Sequence, residues 1–171
     1  MTQVTTARIL ARRATLAECG QECVDWAISI LEQGHDGHYL RLLIGMSPPF
    51  NHFEVAGYRD GLLTELGLAN ISTDDGVSRY SAEVLQETLT GKRCLIEALH
   101  EVSDLCISTQ YQHDIFDFYL LYWAWMDLKE DTFQWYWRGA NRENIDSIIR
   151  DRMQAYLDAR KASGKLGNTD W

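Results

Sequence analysis

The stretch DIFDFYLLYWAWMDLK, residues 114–129, decides the predicted fold because its apolar side chains surround almost the whole helix that it would form. Apolar residues such as Phe116, Phe118, Tyr119 and Leu121 fall on more than one side of the helix at helical spacing. A helix that is apolar all round usually lies at the centre of its fold. The stretch therefore predicts a central helix over about residues 114–129 of an all-α protein.

Apolar residues at spacings of three, four and seven predict further helices on both sides of this stretch. The only prolines, Pro48 and Pro49, leave most of the chain free of helix breakers. The predicted helices cover residues 6–33, 40–46, 53–66, 77–89, 95–106 and 142–161, with Gly34 ending the first and Asn141 capping the last. This pattern predicts a single-domain bundle of about seven helices over residues 1–162, followed by a flexible tail at 163–171.

The charge of the chain limits the kinds of partner it favours. Its 171 residues carry a net charge of −9. Residues 1–13 contribute +3 through three arginines, so the rest carries −12. Nucleic-acid binding relies on lysine and arginine, so this balance argues against a nucleic-acid ligand. Solubility alone is the simpler interpretation of the acidic charge, and a basic protein is the partner that it favours.

Four cysteines, Cys19, Cys23, Cys94 and Cys106, occur in a chain without an apolar signal segment near its start. The longest apolar run, residues 118–126, is far shorter than the ~20 residues that span a bilayer. We therefore expect a cytoplasmic protein without membrane contact, in which the thiols are reduced. The cysteines lie at or near apolar positions, which favours small buried side chains over metal ligands.

The pattern W-A…L-x-x-G-x-D…L-x-x-L-x-G runs from Trp26 to Gly45 and is followed by Glu65-Leu66-Gly67. It resembles small helical bacterial proteins of unassigned function, as does YWRGANRENIDSIIRDRMQAYL at residues 136–157. Those proteins have Ala-Gly-Leu where this chain has Ile44-Gly45-Met46. The resemblance covers about a third of the chain and implies a bacterial, cytosolic, helical protein. It supplies no catalytic residues.

The segment GHDGHYLRLLIG, residues 34–45, places two histidines beside an aspartate and so presents a candidate metal site. A zinc site needs three or four ligands, and His35 precedes the predicted start of the next helix, so the rings of His35 and His38 need not share a face. The glycine and aspartate are more typical of a helix boundary. Gly34 would end one helix, and Asp36 would cap the next by accepting from an amide two or three residues later.

His100, His113 and Asp114 form a second candidate metal site. The dipeptide His113-Asp114 resembles the H…HD…D pattern of helical metal-dependent phosphohydrolases, with Asp146 or Asp151 as the last ligand. His100 precedes His113 by thirteen residues, which is a short spacing for that pattern. A metal-dependent phosphohydrolase is therefore the alternative function.

Aromatic residues crowd into the range 119–137. A bulky core is the simpler interpretation. The segment FQWYW, residues 133–137, favours an exposed patch, because its alternating rings cannot all face one core. Five residues are too few for periodicity to decide between an extended segment and a helical turn. The candidate partner-binding residues are Phe133, Trp135, Tyr136 and Trp137.

Known catalytic and cofactor motifs do not occur in the chain. It has no glycine-rich phosphate loop, nucleophile elbow or kinase motif, so the sequence identifies no catalytic residue and we predict no cofactor. We expect a non-enzymatic protein-binding module, of the immunity or inhibitor type, that recognises a basic protein. A homodimer formed through the tryptophan-rich segment is a third hypothesis.

Overall fold

A computed structural model describes residues 4–165 of the chain. These residues form helices joined by turns and contain no β-strand, which confirms the predicted all-α class. The described range holds eight α-helices, one of which follows directly on a 3₁₀ helix at His113–Ile115. The α-helices are α1 (Thr6–Ala14), α2 (Gly20–Glu32), α3 (His38–Ile44), α4 (His52–Glu65), α5 (Thr73–Leu89), α6 (Leu95–Ser108), α7 (Phe116–Glu130) and α8 (Ile145–Ala162).

Contacts within the chain divide it into two compact units. The N-terminal unit ends at Val77 and the C-terminal unit begins at Ser78, so the boundary falls inside α5. The single-domain organisation expected from the sequence stays a prediction. Among residues 4–165, we find no helix with the length and apolar character needed to cross a membrane.

Trp26 lies in the core of the N-terminal unit. Its side chain is fully buried, and its indole Nε1 donates to the hydroxyl of Thr6 at 2.9 Å, which joins α2 to α1. A buried indole needs such an acceptor, because an unpaired N–H in an apolar core is costly. The α2 helix also packs against α3 and α4. The buried apolar side chains around it include Ile9, Leu10, Ile30, Leu40, Leu43, Val55, Leu62 and Leu63.

The single helix predicted over residues 6–33 is wrong, since α1 and α2 occupy this range with a break between them. Leu16 follows α1 in a left-handed conformation, with φ of 54°. The amide of Ala17 then donates back to the carbonyl of Arg12 at 2.9 Å and closes the end of α1. Glycine is the usual residue in this conformation because it has no Cβ, so a leucine here gives no sequence signal for a helix end.

Glu22 holds α1 and α2 together across this break. Its carboxylate accepts from Arg8 Nη2 at 2.5 Å and from Arg12 Nε at 2.9 Å. Partial burial by itself raises the pKa of Glu22, but the hydrogen bonds and charges of the two arginines outweigh it and lower that pKa. The basic character of residues 1–13 is therefore partly neutralised by α2.

Gly34 ends α2 as the sequence predicts. Its φ is 90°, and the amide of His35 donates to the carbonyl of Ile30 at 3.3 Å. This pattern satisfies carbonyls at the end of a helix and requires a positive φ, which glycine adopts without steric cost.

The cap predicted for the start of α3 is wrong. The carboxylate of Asp36 accepts from Arg41 Nε at 2.8 Å, and this bond, with the arginine charge, lowers the pKa of Asp36. The cap comes instead from α4, where Glu65 Oε1 accepts from the amide of Tyr39 at 3.1 Å. A carboxylate at a helix start satisfies an orphan amide and the helix dipole together. The residue that caps α3 is therefore Glu65, which is distant in sequence, and not Asp36.

The cysteines differ from the expectation of four reduced, buried thiols. Cys19 and Cys23 form a disulfide at the start of α2, with their Cα atoms 5.5 Å apart. Cys94 is exposed and Cys106 is buried. The expected burial is confirmed for Cys19 and Cys23, but their expected reduced state is wrong, and the expected burial is wrong for Cys94. The cytoplasmic location therefore loses the support of reduced thiols.

Asn51 starts α4 by accepting from the amides of Phe53 and Glu54 at 3.1 and 3.4 Å. The apolar spacing predicts Phe53 on the inner face of this helix, but the side chain is 92% exposed. Phe53 stands in the first turn, just after the cap, and the buried face of α4 begins only at Val55. The prediction for Phe53 is therefore wrong.

The α7 helix lies at the centre of the C-terminal unit. It packs against α6, α8 and the 3₁₀ helix, so the central position predicted for residues 114–129 is confirmed within this unit. Phe118, Leu121 and Ala124 are fully buried on its inner side. The predicted helix begins two residues too early, because His113–Ile115 forms the 3₁₀ helix instead.

Asn141 caps the turn that leads into α8. Its side-chain oxygen accepts from the amides of Glu143 and Asn144 at 2.9 and 3.1 Å. The predicted cap on α8 itself is wrong, because Asn144 stands at the N-cap of that helix without a side-chain hydrogen bond. Residues 142–144 form a turn, so α8 starts three residues later than the prediction. Gly164 ends it with φ of 68°. Most of the predicted flexible tail, residues 166–171, lies outside the described residues.

Candidate protein-binding surface

One side of α7 is lined with rings that are only partly buried. Phe116, Tyr119 and Trp123 are spaced by three and four residues, so they lie along one side of the helix. Each of the three is half-buried, in contrast to the fully buried Phe118 and Leu121 on the inner side. The sequence shows apolar residues all round α7, and the structure separates them into a core face and a surface face.

The rings on this side contact one another in a continuous series. Phe116 stacks on Tyr119 with ring centroids 5.6 Å apart and planes 19° apart. Tyr111, from the loop before α7, meets Tyr119 edge-on at 5.3 Å. Trp123 continues the series, with centroids 6.5 Å from Tyr119 and 5.4 Å from Tyr122. Edge-to-face and offset stacking at these distances are favourable, so the rings hold one another in place.

Tyr136, in the loop after α7, interacts electrostatically with Tyr119. Partial burial raises the pKa of Tyr119, and the neighbouring hydroxyls of Tyr111 and Tyr136 raise it further. Tyr136 itself is exposed. The charge interaction places the Tyr136 hydroxyl in the neighbourhood of Tyr119.

The segment 133–137 is neither a helix nor a strand, which answers the question that its periodicity left open. Gln134 is buried, and its amide donates to the carbonyls of Trp137 and Ala140 while its oxygen accepts from the amide of Trp137 at 2.8 Å. These bonds hold the backbone in a tight turn. Trp135 is left 84% exposed, with Phe133 packed against it edge-on at 4.3 Å.

We call this set of side chains the aromatic surface. Three of the four candidate partner-binding residues are exposed in it, and the fourth, Trp137, is half-buried and lies outside it. The sequence analysis did not identify Tyr111 as a member of this surface. The spacing of Phe116, Tyr119 and Trp123 does indicate that these three residues share one face of a helix. The aromatic surface consists of Tyr111, Phe116, Tyr119, Tyr122, Trp123, Phe133, Trp135 and Tyr136.

The segment that carries the aromatic surface is strongly acidic. Residues 94–136 contain eight acidic side chains and one lysine, a net charge of −7. Glu97 and Glu130 are exposed, and no lysine or arginine of the described chain forms an ion pair with either. Negative charge therefore accompanies the exposed rings, and its field favours a cationic partner.

His100, His113 and Asp114 do not come together as a metal site. His100 lies against the ring of Tyr122 at 5.0 Å and pairs with Asp104 at 3.5 Å on its own helix. Among residues 4–165, no three histidine, cysteine, aspartate or glutamate side chains are grouped closely enough to hold a metal ion. The metal-dependent phosphohydrolase therefore gains no support from this part of the chain.

Asp114 is instead the acceptor of a hydrogen-bond network. Ser78 Oγ donates to its Oδ2 at 2.5 Å, and Gln112 Nε2 donates to its Oδ1 at 2.6 Å. The hydroxyl of Tyr156 lies 3.3 Å from Oδ2. All three donors are buried, so the half-exposed carboxylate satisfies polar groups that would otherwise lose their hydrogen bonds to water. No sequence signal marks this convergence, because the donors come from separate elements.

Cys106 is a poor candidate for a nucleophile. Burial raises the pKa of its thiol to about 11, and the negative charge of Asp114 contributes to the shift. Cys106 is therefore almost fully protonated at neutral pH. Since a thiol reacts as the thiolate, its reactivity is low. Cys94 is the accessible thiol of the two.

Comparison of this chain with protein-family models, with curated proteins and with solved structures found no match.

Proposed function

We propose that this protein is a non-enzymatic protein-binding module and that the aromatic surface is its binding site. The observation that carries the proposal is the exposure of Trp135, whose ring is held outward by a turn closed on Gln134. Tryptophan and tyrosine dominate the energetics of protein interfaces, since they bury a large area with few rotatable bonds. Exposed aromatic patches of this kind mark interaction sites.

A basic protein is the partner that this surface suits best. Residues 94–136 carry a net charge of −7, in which Glu101 and Asp117 are paired with Arg93 and Arg152 and Glu97 and Glu130 are exposed. Complementary charge speeds and orients association. The rings would supply the buried centre of the interface, and carboxylates such as Glu97 and Asp104 its charged rim.

We further propose that the protein acts by occupying its partner, as an immunity or inhibitor protein does. A small acidic chain that covers a basic surface blocks that surface by binding alone. The cytoplasmic location and bacterial origin expected from the sequence belong to this proposal.

The binding proposal is tested with a basic peptide as the probe. A fluorescein-labelled peptide of lysine and leucine, patterned as an amphipathic helix, would be titrated with the protein and followed by fluorescence anisotropy. We expect saturable binding that weakens as salt is raised, because screening reduces the attraction of exposed charges. A peptide with glutamate in place of every lysine is the charge control.

Substitutions locate the binding site on the chain. Trp135→Ser should weaken binding at least about tenfold, as loss of a central aromatic residue does in many interfaces. Phe53→Ser removes a side chain of similar exposure from the N-terminal unit and should leave the affinity unchanged. Equal affinity of the two variants, or equal binding of the glutamate peptide, would contradict the proposal.

Self-association is the competing use of the same rings. Light scattering with size exclusion over a range of protein concentrations measures it directly. We expect a monomer at all concentrations. A dimer that dissociates in Trp135→Ser would assign the surface to a second copy of this chain in place of a basic protein.

A further inference from the structure

A cavity of about 340 Å³ lies between the start of α7 and the last turns of α8. It is in the C-terminal unit and is distinct from the aromatic surface, with which it shares only Phe116. Three cationic side chains line it, Arg152, Arg160 and Lys165, together with the carboxylates of Asp114 and Asp117. Phe116, Tyr156 and Ala159 form apolar parts of its wall. A cavity with apolar walls and a few convergent polar groups is typical of small-molecule sites.

The burial of Arg160 is the main evidence that this cavity binds a ligand. Its side chain is only 7% exposed, and no acceptor among residues 4–165 forms a hydrogen bond with its Nε. Its Nη2 donates to the carbonyl of Lys165 at a long 3.4 Å, and its Nη1 lies 3.9 Å from the carboxylate of Asp114. A guanidinium has five N–H donors, and burying it without acceptors is costly.

Asp114 forms no hydrogen bond with Arg160, and its oxygens accept from other donors. Its Oδ2, the atom nearest to Arg160, accepts from Ser78 Oγ at 2.5 Å and lies beside the Tyr156 hydroxyl. Its Oδ1 accepts from Gln112. The distance of 3.9 Å to Arg160 exceeds that of a hydrogen bond. The negative charge of Asp114 therefore attracts the buried guanidinium, but N–H groups of Arg160 remain without a hydrogen-bond acceptor.

The other charges leave a positive surplus in the cavity. Arg152 is paired with Asp117, with Nε 2.6 Å from Oδ2. Lys165 is exposed at the rim and forms no ion pair within the described part of the chain. The surrounding segment is basic as well, since residues 137–165 carry seven basic and four acidic side chains in an otherwise acidic protein.

We propose that this cavity binds a small organic anion, with its oxyanion group on Arg160 and its apolar body against Phe116 and Tyr156. Phosphate and carboxylate groups share the required chemistry, because each offers coplanar oxygens to a guanidinium fork. The Nη groups of Arg160 would donate to this group, and Lys165 would add attraction at the entrance. The proposal is independent of protein binding at the aromatic surface.

Thermal unfolding measures binding to the full-length protein. Phenyl phosphate, benzoate and inorganic phosphate would be added over a millimolar range at constant ionic strength, because a ligand of the folded state raises the melting temperature. We expect the two aromatic anions to raise it in a saturable manner. A larger effect of phenyl phosphate would identify a phosphate ester as the ligand class, and a larger effect of benzoate a carboxylate. Inorganic phosphate should act more weakly than phenyl phosphate, since it has no apolar body.

Two variants on α8 provide the matched comparison. Arg160→Gln should weaken binding of the preferred anion at least about tenfold through the lost charge-assisted bonds. Arg150→Gln makes the same charge change at an exposed position of the same helix and should bind as the unaltered protein does. Equal effects of the two substitutions, or the absence of any saturable shift, would overturn the proposal.

Nuclear magnetic resonance of the unaltered protein tests the site without any substitution. The arginine Nε–H signals are recorded during the phenyl phosphate and benzoate titrations, with that of Arg160 assigned through specific labelling. We expect this signal to move more than that of Arg150 and to saturate together with the thermal shift. An unmoved Arg160 signal at saturating anion would overturn the proposal even if Arg160→Gln failed to fold.

Discussion

Trp26 and Trp135 are the same residue in opposite surroundings. Trp26 is fully buried between α1 and α2, and its indole N–H donates to Thr6. Trp135 is 84% exposed on a turn, where Phe133 packs against one edge of its ring. The N-terminal unit uses its tryptophan for folding, whereas the C-terminal unit holds one at the surface.

This difference separates the residues that stabilise the protein from those proposed to act in binding. An exposed tryptophan gives little stability, because most of its apolar area stays in water. The fold nevertheless fixes Trp135 in place, through the hydrogen bonds of Gln134. The same contrast recurs in the cysteines and in the carboxylates, and each pair provides a test.

The largest effect is expected for the tryptophan pair. Trp26→Ala should lower the free energy of unfolding by about 3–5 kcal/mol, because it leaves a large cavity and an unpaired Thr6 hydroxyl. Trp135→Ala should change it by less than about 0.5 kcal/mol. Urea unfolding followed by circular dichroism measures both. A loss for Trp135→Ala near that for Trp26→Ala would show that the exposed ring has a structural role.

The cysteine pair predicts a dependence on alkaline pH. The folded protein holds the Cys106 proton up to a pKa of about 11, against 9.0 for an ordinary thiol, so this stabilisation is complete below pH 9. As the pH rises from 9 towards 11, the unfolded state loses the proton first and stability falls, by about 2–3 kcal/mol for a shift of this size.

Unfolding measured across that pH range should show a shallower loss in Cys106→Ala than in Cys94→Ala, which removes the exposed thiol. Thiol reagents at neutral pH should modify Cys94 and leave Cys106 unmodified until the protein unfolds. Identical pH profiles for the two variants would contradict the buried environment of Cys106.

The smallest effect is expected for two carboxylates near α3. Glu65→Gln should lower the free energy of unfolding by about 1 kcal/mol, since it weakens the cap on the Tyr39 amide. Asp36→Asn breaks an exposed pair with Arg41 and should cost less than Glu65→Gln, because solvent screens exposed ion pairs. Thermal unfolding at low and high salt separates the two. A larger loss for Asp36→Asn would restore the cap predicted from the sequence.

These pairs also show how far the sequence predicts the structure. Helical spacing and the boundary residues Gly34 and Asn141 place most helices within a few residues of their observed ends. The break at Leu16 is not predicted, because a left-handed leucine depends on the contacts of the folded chain and not on residue type. The cap from Glu65 is missed for a related reason, since it joins positions twenty-six residues apart.

The candidate site was predictable only in part. Alternation in 133–137 correctly suggests that some of its rings are exposed, but it does not show that Gln134 closes the turn. The spacing of Phe116, Tyr119 and Trp123 shows a helix face, and only the packing of α7 against α6 and α8 determines which face stays at the surface. The buried Arg160 carries no sequence signal, because arginine on a helix is ordinarily exposed.

The most direct test of the binding proposal is the set of tryptophan indole N–H signals in a nuclear magnetic resonance titration with the lysine–leucine peptide. The chain has six tryptophans, and the indole N–H signal of each reports on the surroundings of that residue. We expect the Trp135 signal to shift in a saturable manner and the buried Trp26 signal to stay fixed. A Trp135 signal that stays fixed while the peptide binds would contradict the aromatic surface as the binding site.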